Sequence, residues 1–193
     1  MARNLPEHAA QFHDHGLHLP TRMVFIDGDE TSESFELTAK SARRDIKNIH
    51  LLDNMATGDI NIILNCGGGD TIAGMAIYDA IKGCKNHVII TVRGKAASMG
   101  SLILQAADER VMSSNSCMLV HMGEVEYKGL GTEVDSEREF DKLMDERHKN
   151  IYLSRIKEKK PRYTKEQLQK LLDHGTFMTA EKAVEMGLAD KVV

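Results

Sequence analysis

The chain has 193 residues, of which 41% are hydrophobic, 28% charged and 5% aromatic, which suits one domain with its own core. Its 25 basic and 29 acidic residues give a net charge of -4, which argues against a general nucleic-acid-binding protein. No stretch reaches the ~18 to 20 apolar residues of a membrane span, the N-terminus lacks an apolar signal core, and three cysteines without metal-type spacing indicate reduced thiols. We therefore expect a cytoplasmic protein that does not enter a membrane.

Residues 1–20 are predicted to form a flexible, irregular arm, because they are polar, rich in histidine and without an apolar period. Order is predicted to begin with a short apolar strand at 23–26, closed by the turn signal Asp27-Gly28-Asp29. Residues 32–55 carry apolar side chains at roughly helical spacing, which predicts a helix. We expect residues 21–193 to be a single domain.

Strands and helices alternate in the next segment. The β-branched, apolar runs at 60–64 and 88–92 are typical of buried strands, and shorter strands are predicted at 110–112 and 118–120. Asp70 can cap a helix over 71–82, and the small residues from Ala96 open another helix that reaches about residue 107. This alternation predicts an α/β unit with a largely parallel sheet.

The last third of the chain has a different character. An extended, glycine-bearing segment at 123–131 precedes a long, heavily charged helix predicted at 132–157, whose apolar stripe is narrow. Thr164 and Gln167 form a capping-box pattern at the start of a helix that reaches residue 172. A final short helix is predicted at 180–186, before Gly187.

Two glycine-bearing turns follow predicted buried strands, at Gly67-Gly68-Gly69 and around Ser98. Turns of this kind lie at the carboxyl edge of a parallel sheet, where ligands bind and where backbone N–H groups can stabilise an anion. Ser98 at such a turn can attack a carbonyl, although a serine at a helix start is more often only an N-cap. The G-x-S-x-G pattern is absent, since Ala96 occupies the first glycine position.

His121 directly follows the predicted strand 118–120, so it should project from the same edge of the sheet as Ser98. A histidine there can serve as the base for a serine nucleophile, although a lone histidine at a strand end is usually structural or solvated.

Together these residues carry a specific resemblance. Gly68-Gly69, Ala73-Gly74-Met75-Ala76-Ile77-Tyr78-Asp79, Ala96-Ala97-Ser98-Met99-Gly100-Ser101 and His121 resemble, in order and spacing, the ClpP family of serine peptidases. These are the proteolytic subunits of ATP-dependent Clp proteases (peptidase family S14), and the resemblance extends from about residue 25 to 193. It implies a ClpP/crotonase-like fold, a spiral of ββα units with a protruding helix-strand handle at about 123–160.

The resemblance also implies roles for individual residues. Ser98 would be the nucleophile and His121 the general base of a Ser-His-Asp triad, and the backbone N–H groups of Gly69 and Met99 would form the oxyanion hole. Substrate would bind as an added strand along Gly68, Gly123, Glu124 and Val125. ClpP-type subunits form heptameric rings, which stack as a homo-oligomeric tetradecamer, and receive unfolded polypeptides from an AAA+ unfoldase of the Clp type. No cofactor or metal is implied.

The third triad residue departs from the family pattern, because an ungapped match places Gly175 where the family has its aspartate. Asp173, two residues earlier, is the carboxylate that we carry forward as the triad acid. Asp135 and Asp141 on the predicted long helix are further carboxylates, and nothing in the sequence favours either.

Three functions therefore remain open. The first is a serine endopeptidase that acts through an acyl-enzyme on Ser98. The second is a weakly active or non-catalytic subunit of a Clp-type ring, which Gly175 favours and the intact Ser98 and His121 oppose. The third is an acyl-CoA enzyme on the crotonase fold, which generally needs a carboxylate base.

Overall fold

The predicted β-branched runs form the centre of one mixed sheet. The computed structural model describes residues 7–28, 36–123 and 127–193. The strands within these ranges are β1 (Leu17–His18), β2 (Met23–Ile26), β3 (Ile60–Cys66), β4 (Val88–Ala97), β5 (Glu109–Met112), β6 (Cys117–Val120), β7 (Thr176–Thr179) and β8 (Lys191–Val192). The helices within them are α1 (Glu7–His15), α2 (Ala39–Met55), α3 (Thr71–Lys82), α4 (Met99–Leu104), α5 (Gly131–Lys159), α6 (Lys165–Asp173) and α7 (Ala180–Met186).

Most strand pairs are parallel, as the alternation of strands and helices predicts. The order is β1-β2-β3-β4-β5-β8, and every pair from β2 to β8 in that path is parallel. Strand β4 is longer than predicted: its first part pairs with β5 and its last three residues pair with β6. The fold is thus mixed α/β, with a central sheet and helices, consistent with the ClpP fold.

Local signals set where several helices begin. The Asp70 side chain accepts a hydrogen bond from the Ala73 amide at the start of α3, and Thr164 with Gln167 forms the predicted capping box of α6. Helix α2, by contrast, begins at Ala39 rather than near residue 32. Thr38 caps it, and Leu37 forms a β-bridge instead of a helical turn. Residues 32–35 of the predicted helix lie outside the described ranges.

The irregular arm predicted for the N-terminus is wrong for its described part. Residues 7–15 form helix α1, and β1 pairs antiparallel with β2. The Phe12 ring packs edge-on against Phe25, with 5.1 Å between ring centroids, and the Asn48 side chain donates a hydrogen bond to the His15 carbonyl. The aromatic contact and the strand pairing therefore hold this segment against the rest of the domain. The sequence has no apolar period there that would have predicted this packing.

Helix α5 divides into two halves. Its buried residues are Met144, near the middle, and Tyr152, Leu153 and Ile156 in the second half, and the helix packs on α4 and α6. The first half is almost entirely exposed and includes Phe140, whose exposed fraction is 47%. No helix in the described ranges combines the length and apolar character needed to cross a membrane.

Candidate active site

Ser98 occupies a sharp turn between the end of β4 at Ala97 and the start of α4 at Met99. Its backbone angles are φ 52° and ψ -123°, and among the described non-glycine residues only Arg22 shares a positive φ. Such a conformation costs about 1–3 kcal/mol and persists only where the surroundings enforce it. The Ser98 side chain makes no capping hydrogen bond to α4, so the N-cap interpretation of this serine does not apply.

Glycines make room for this turn. A Cβ on Gly68 would lie 2.6 Å from the Ser98 Cβ and 3.1 Å from its Oγ, and a Cβ on Gly100 would lie 2.9 Å from the Cys66 carbonyl oxygen. Any larger residue at these positions would displace the serine or the end of β3. Gly68, predicted as a substrate-binding residue, is thus in contact with Ser98.

Two backbone amides next to the serine, those of Gly69 and Met99, have no acceptor that the described residues show. Leu37 donates its amide to the Gly68 carbonyl (2.7 Å) and accepts from the Asp70 amide (3.0 Å). Because Leu37 bonds to the residues on either side of Gly69, the N–H of Gly69 itself points the opposite way. The Met99 amide is the first of α4 and has no acceptor within that helix. Both residues line the same cavity as Ser98, as an oxyanion hole requires.

His121 follows β6, whose neighbour is the end of β4. The Ser98 amide donates a hydrogen bond to the Leu119 carbonyl at 2.9 Å. His121 is therefore only two residues along the chain from a residue that contacts the turn holding Ser98. Ser98 and His121 both line a cavity of about 390 Å³, together with Gly69, Met99 and Gly123. Within the described residues neither the Ser98 hydroxyl nor the His121 ring forms a hydrogen bond, a looseness common in unliganded catalytic sites.

Gly175 lies directly opposite His121. Strands β6 and β7 are antiparallel with Val120 paired to Thr176, so the next position along β6 faces the residue before Thr176. A Cβ on Gly175 would lie 3.8 Å from the His121 Cβ, an ordinary contact distance. The position that carries the acid in the family pattern is therefore beside the histidine, and this chain has no side chain there.

Asp173 is not among the residues that line the cavity. It is the last residue of α6, is exposed, and accepts a hydrogen bond from the Gln169 amide group at 2.7 Å. The structure thus brings together Ser98, His121, Gly69, Met99 and Gly123, and leaves Asp173 outside this group. The predicted substrate-binding residues Glu124 and Val125 lie outside the described ranges.

Comparison with known families identifies the family of this chain. The family model for Clp protease matches residues 21–193, which is all of the chain beyond its first 20 residues. The chain belongs to the Clp protease family. Membership makes it a ClpP-type peptidase, and the site around Ser98 is considered in that light below.

Sequence reasoning missed the wall that α5 contributes to the cavity of this Clp-family chain. That wall consists of Asp141, Met144, Asp145, His148, Lys149 and Tyr152. These positions recur every three or four residues, so they share one face of the helix. The three- or four-residue spacing could have indicated a common helix face. That face mixes charged and apolar side chains, however, so it does not form the apolar stripe by which such faces are usually recognised.

Two buried hydroxyl groups, those of Tyr152 and Ser101, connect α5 to the turn that holds Ser98. The Ser101 hydroxyl donates to the Ser98 carbonyl at 2.7 Å, so the fully buried Tyr152 hydroxyl donates to Ser101 Oγ at 2.6 Å. Burial raises the pKa of the Tyr152 phenol, which keeps it a neutral donor. The contact sets the distance between α5 and the strained turn that holds Ser98.

Proposed function

We propose that this chain is a serine endopeptidase subunit that hydrolyses peptide bonds of unfolded polypeptides inside an oligomeric chamber. One observation carries the proposal: Ser98 is held in a strained turn with its hydroxyl free of any capping bond, in one cavity with His121. Strain at a serine that faces a histidine is typical of a prepared nucleophile.

The reaction would pass through an acyl-enzyme. Ser98 Oγ attacks the carbonyl carbon of the substrate while His121 takes the hydroxyl proton, and the amides of Gly69 and Met99 donate to the oxyanion. His121 then returns the proton to the leaving amine as the peptide bond breaks. A water molecule, activated by His121, hydrolyses the Ser98 ester and regenerates the enzyme.

Substrate would bind as an extended strand. Gly123 lines the cavity and Gly68 lies against Ser98, and backbone pairing along 123–125 would hold a polypeptide with little demand on its side chains. The family implies oligomeric assembly with Clp unfoldases. We propose homomeric heptameric rings, stacked as a tetradecamer through the handle of residues 123–160, which receive unfolded chains from an AAA+ unfoldase of the Clp type in the cytoplasm.

The position of Gly175 favours a second candidate, a weakly active or non-catalytic ring subunit. Without a carboxylate, His121 loses control of its tautomer and stabilisation of its charged form, which lowers kcat by about 10⁴ in serine peptidases. Asp173 fills this role only if the end of α6 rearranges, because its carboxylate is now bonded to Gln169.

Intact-mass analysis after treatment with a small fluorophosphonate tests the proposal. We expect a single adduct on the wild-type chain and none on Ser98→Ala, since only an activated serine reacts with this reagent. Native mass spectrometry of the same samples establishes that both proteins are folded and assembled. No adduct on an assembled wild-type protein would exclude the peptidase and establish the non-catalytic subunit.

A further inference from the structure

The wall of the cavity formed by α5 includes two polar groups, Asp145 and His148, that the reaction described above does not use. Their position matters only if the cavity receives a polypeptide side chain, so the inference rests on the proposed function. Three largely apolar side chains of the same cavity, Leu102, Met144 and Tyr152, are each at most 5% exposed. The cavity therefore combines buried apolar side chains with Asp145, His148 and the further charged groups Glu36, Asp141 and Lys149.

Asp145 is a half-buried carboxylate without a bonding partner in the described part of the chain. Burial raises its pKa, against the opposing influence of Lys149 and His148. The neighbouring charges have partners of their own: the Lys149 ammonium donates to Glu146 at 3.3 Å, and Asp141 is hydrogen-bonded to the Tyr127 hydroxyl. A cation that enters the cavity would therefore stabilise the ionised form of this partly desolvated Asp145 carboxylate.

His148 lies one helical turn further along α5 and also presents a buried polar atom. Its Nε2 atom is buried and has no hydrogen-bond partner among the residues that the structure describes. Burial lowers the pKa of the imidazole, so the ring is neutral near pH 7 and its unprotonated nitrogen can accept a hydrogen bond. Asp145 and His148 are three residues apart and so lie on the same face of α5.

We propose that the part of the cavity beside Asp145 and His148 receives a lysine or arginine side chain of the polypeptide, so that cleavage occurs next to basic residues. Asp145 would accept hydrogen bonds from the ammonium or guanidinium group, and His148 would accept another. The apolar lining of Leu102, Met144 and Tyr152 suits the methylene stem of such a side chain. The Lys149 ammonium also lines the cavity, and its ion pair with Glu146 at 3.3 Å offsets part of its charge.

The first test is a binding measurement that needs no catalysis. It compares 4-aminobenzamidine with its neutral analogue 4-aminobenzamide on the Ser98→Ala protein, by the fluorescence of the amidine and by calorimetry. We expect the amidine to bind at least about 10-fold more tightly, and Asp145→Asn to remove most of that difference. Glu139→Gln is the matched control, since Glu139 is exposed on the same helix, outside the cavity, and loses the same charge.

Equal affinity for the two compounds, or an amidine preference that survives Asp145→Asn, would overturn the inference. The two ligands are compared on the same Ser98→Ala protein, so this comparison does not depend on the folding of Asp145→Asn. The second test uses peptides with lysine or norleucine before the scissile bond, which differ in charge but little in shape. We expect kcat/KM to favour lysine at least about 10-fold in the wild type and to lose this preference in Asp145→Asn.

The two tests separate the inference from the proposed function. A protein that binds the amidine through Asp145 but cleaves no peptide would refute the peptidase and support the cationic site. A protein that cleaves norleucine peptides as fast as lysine peptides would support the peptidase and refute the site.

Discussion

Gly175→Asp would place a carboxylate opposite His121 and tests whether the missing acid limits the activity of this site. Residue 175 continues the antiparallel pairing of β6 with β7, and a Cβ there would meet only the His121 Cβ, at 3.8 Å. An aspartate side chain therefore has room to extend toward the imidazole. No other backbone position in this pairing faces His121 so directly.

The cost and the gain can both be estimated. Gly175 has φ +58°, a left-handed conformation that costs an L-residue about 1–2 kcal/mol, with aspartate and asparagine among the most tolerant. We expect a loss of about 1 kcal/mol, which lowers Tm by about 2–4 °C in a chain of this length. Removal of the acid from a complete triad lowers kcat by about 10⁴, and an acid without its evolved surroundings should recover about 100-fold of this.

The assay is the rate of fluorophosphonate labelling of Ser98 and of peptide cleavage, measured on wild type, Gly175→Asp and Gly175→Asn. The asparagine variant has the same backbone strain and nearly the same shape but no charge, so it isolates the effect of the carboxylate. Equal rates for the two variants, with both proteins folded, would refute the argument that His121 lacks an orienting acid at this position.

Two further predictions concern the other carboxylates. Asp173→Asn should leave the labelling rate unchanged, because the Asp173 carboxylate is bonded to Gln169 and lies outside the cavity; a fall approaching ~10⁴ would return Asp173 to the triad. Asp45 is fully buried in α2, and burial raises its pKa from 3.8 to about 7, although Arg44 opposes the shift. The folded protein therefore holds this proton more tightly than the unfolded chain, and the free energy of unfolding should fall as pH rises from about 4 to about 7, by at most about 1.4 kcal/mol per pH unit. Asp45→Asn, which cannot ionise, should lack this loss, and Tm curves from pH 5 to 8 that run parallel for the two proteins would contradict it.

Much of the candidate site around Ser98 and His121 was predictable from the sequence, because its signals are local. Buried strands that end in glycine or small-residue turns place their next residues at one edge of a parallel sheet. Ser98 and His121 each follow such a strand, and the structure brings both to one cavity. Asp70 and Thr164 likewise announced the helices that they cap.

Long-range packing decided the rest. The antiparallel register of β6 with β7 puts Gly175, and not Asp173, beside His121, and no local pattern encodes a register between segments more than 50 residues apart. The hydrogen bond from Tyr152 to Ser101 positions α5, and with it Asp145, against the cavity. The sequence alone determined which strand ends could supply a nucleophile and a base, since each depends on a few neighbouring residues. Only the tertiary structure decided which side chains surround them, because that depends on how distant elements pack.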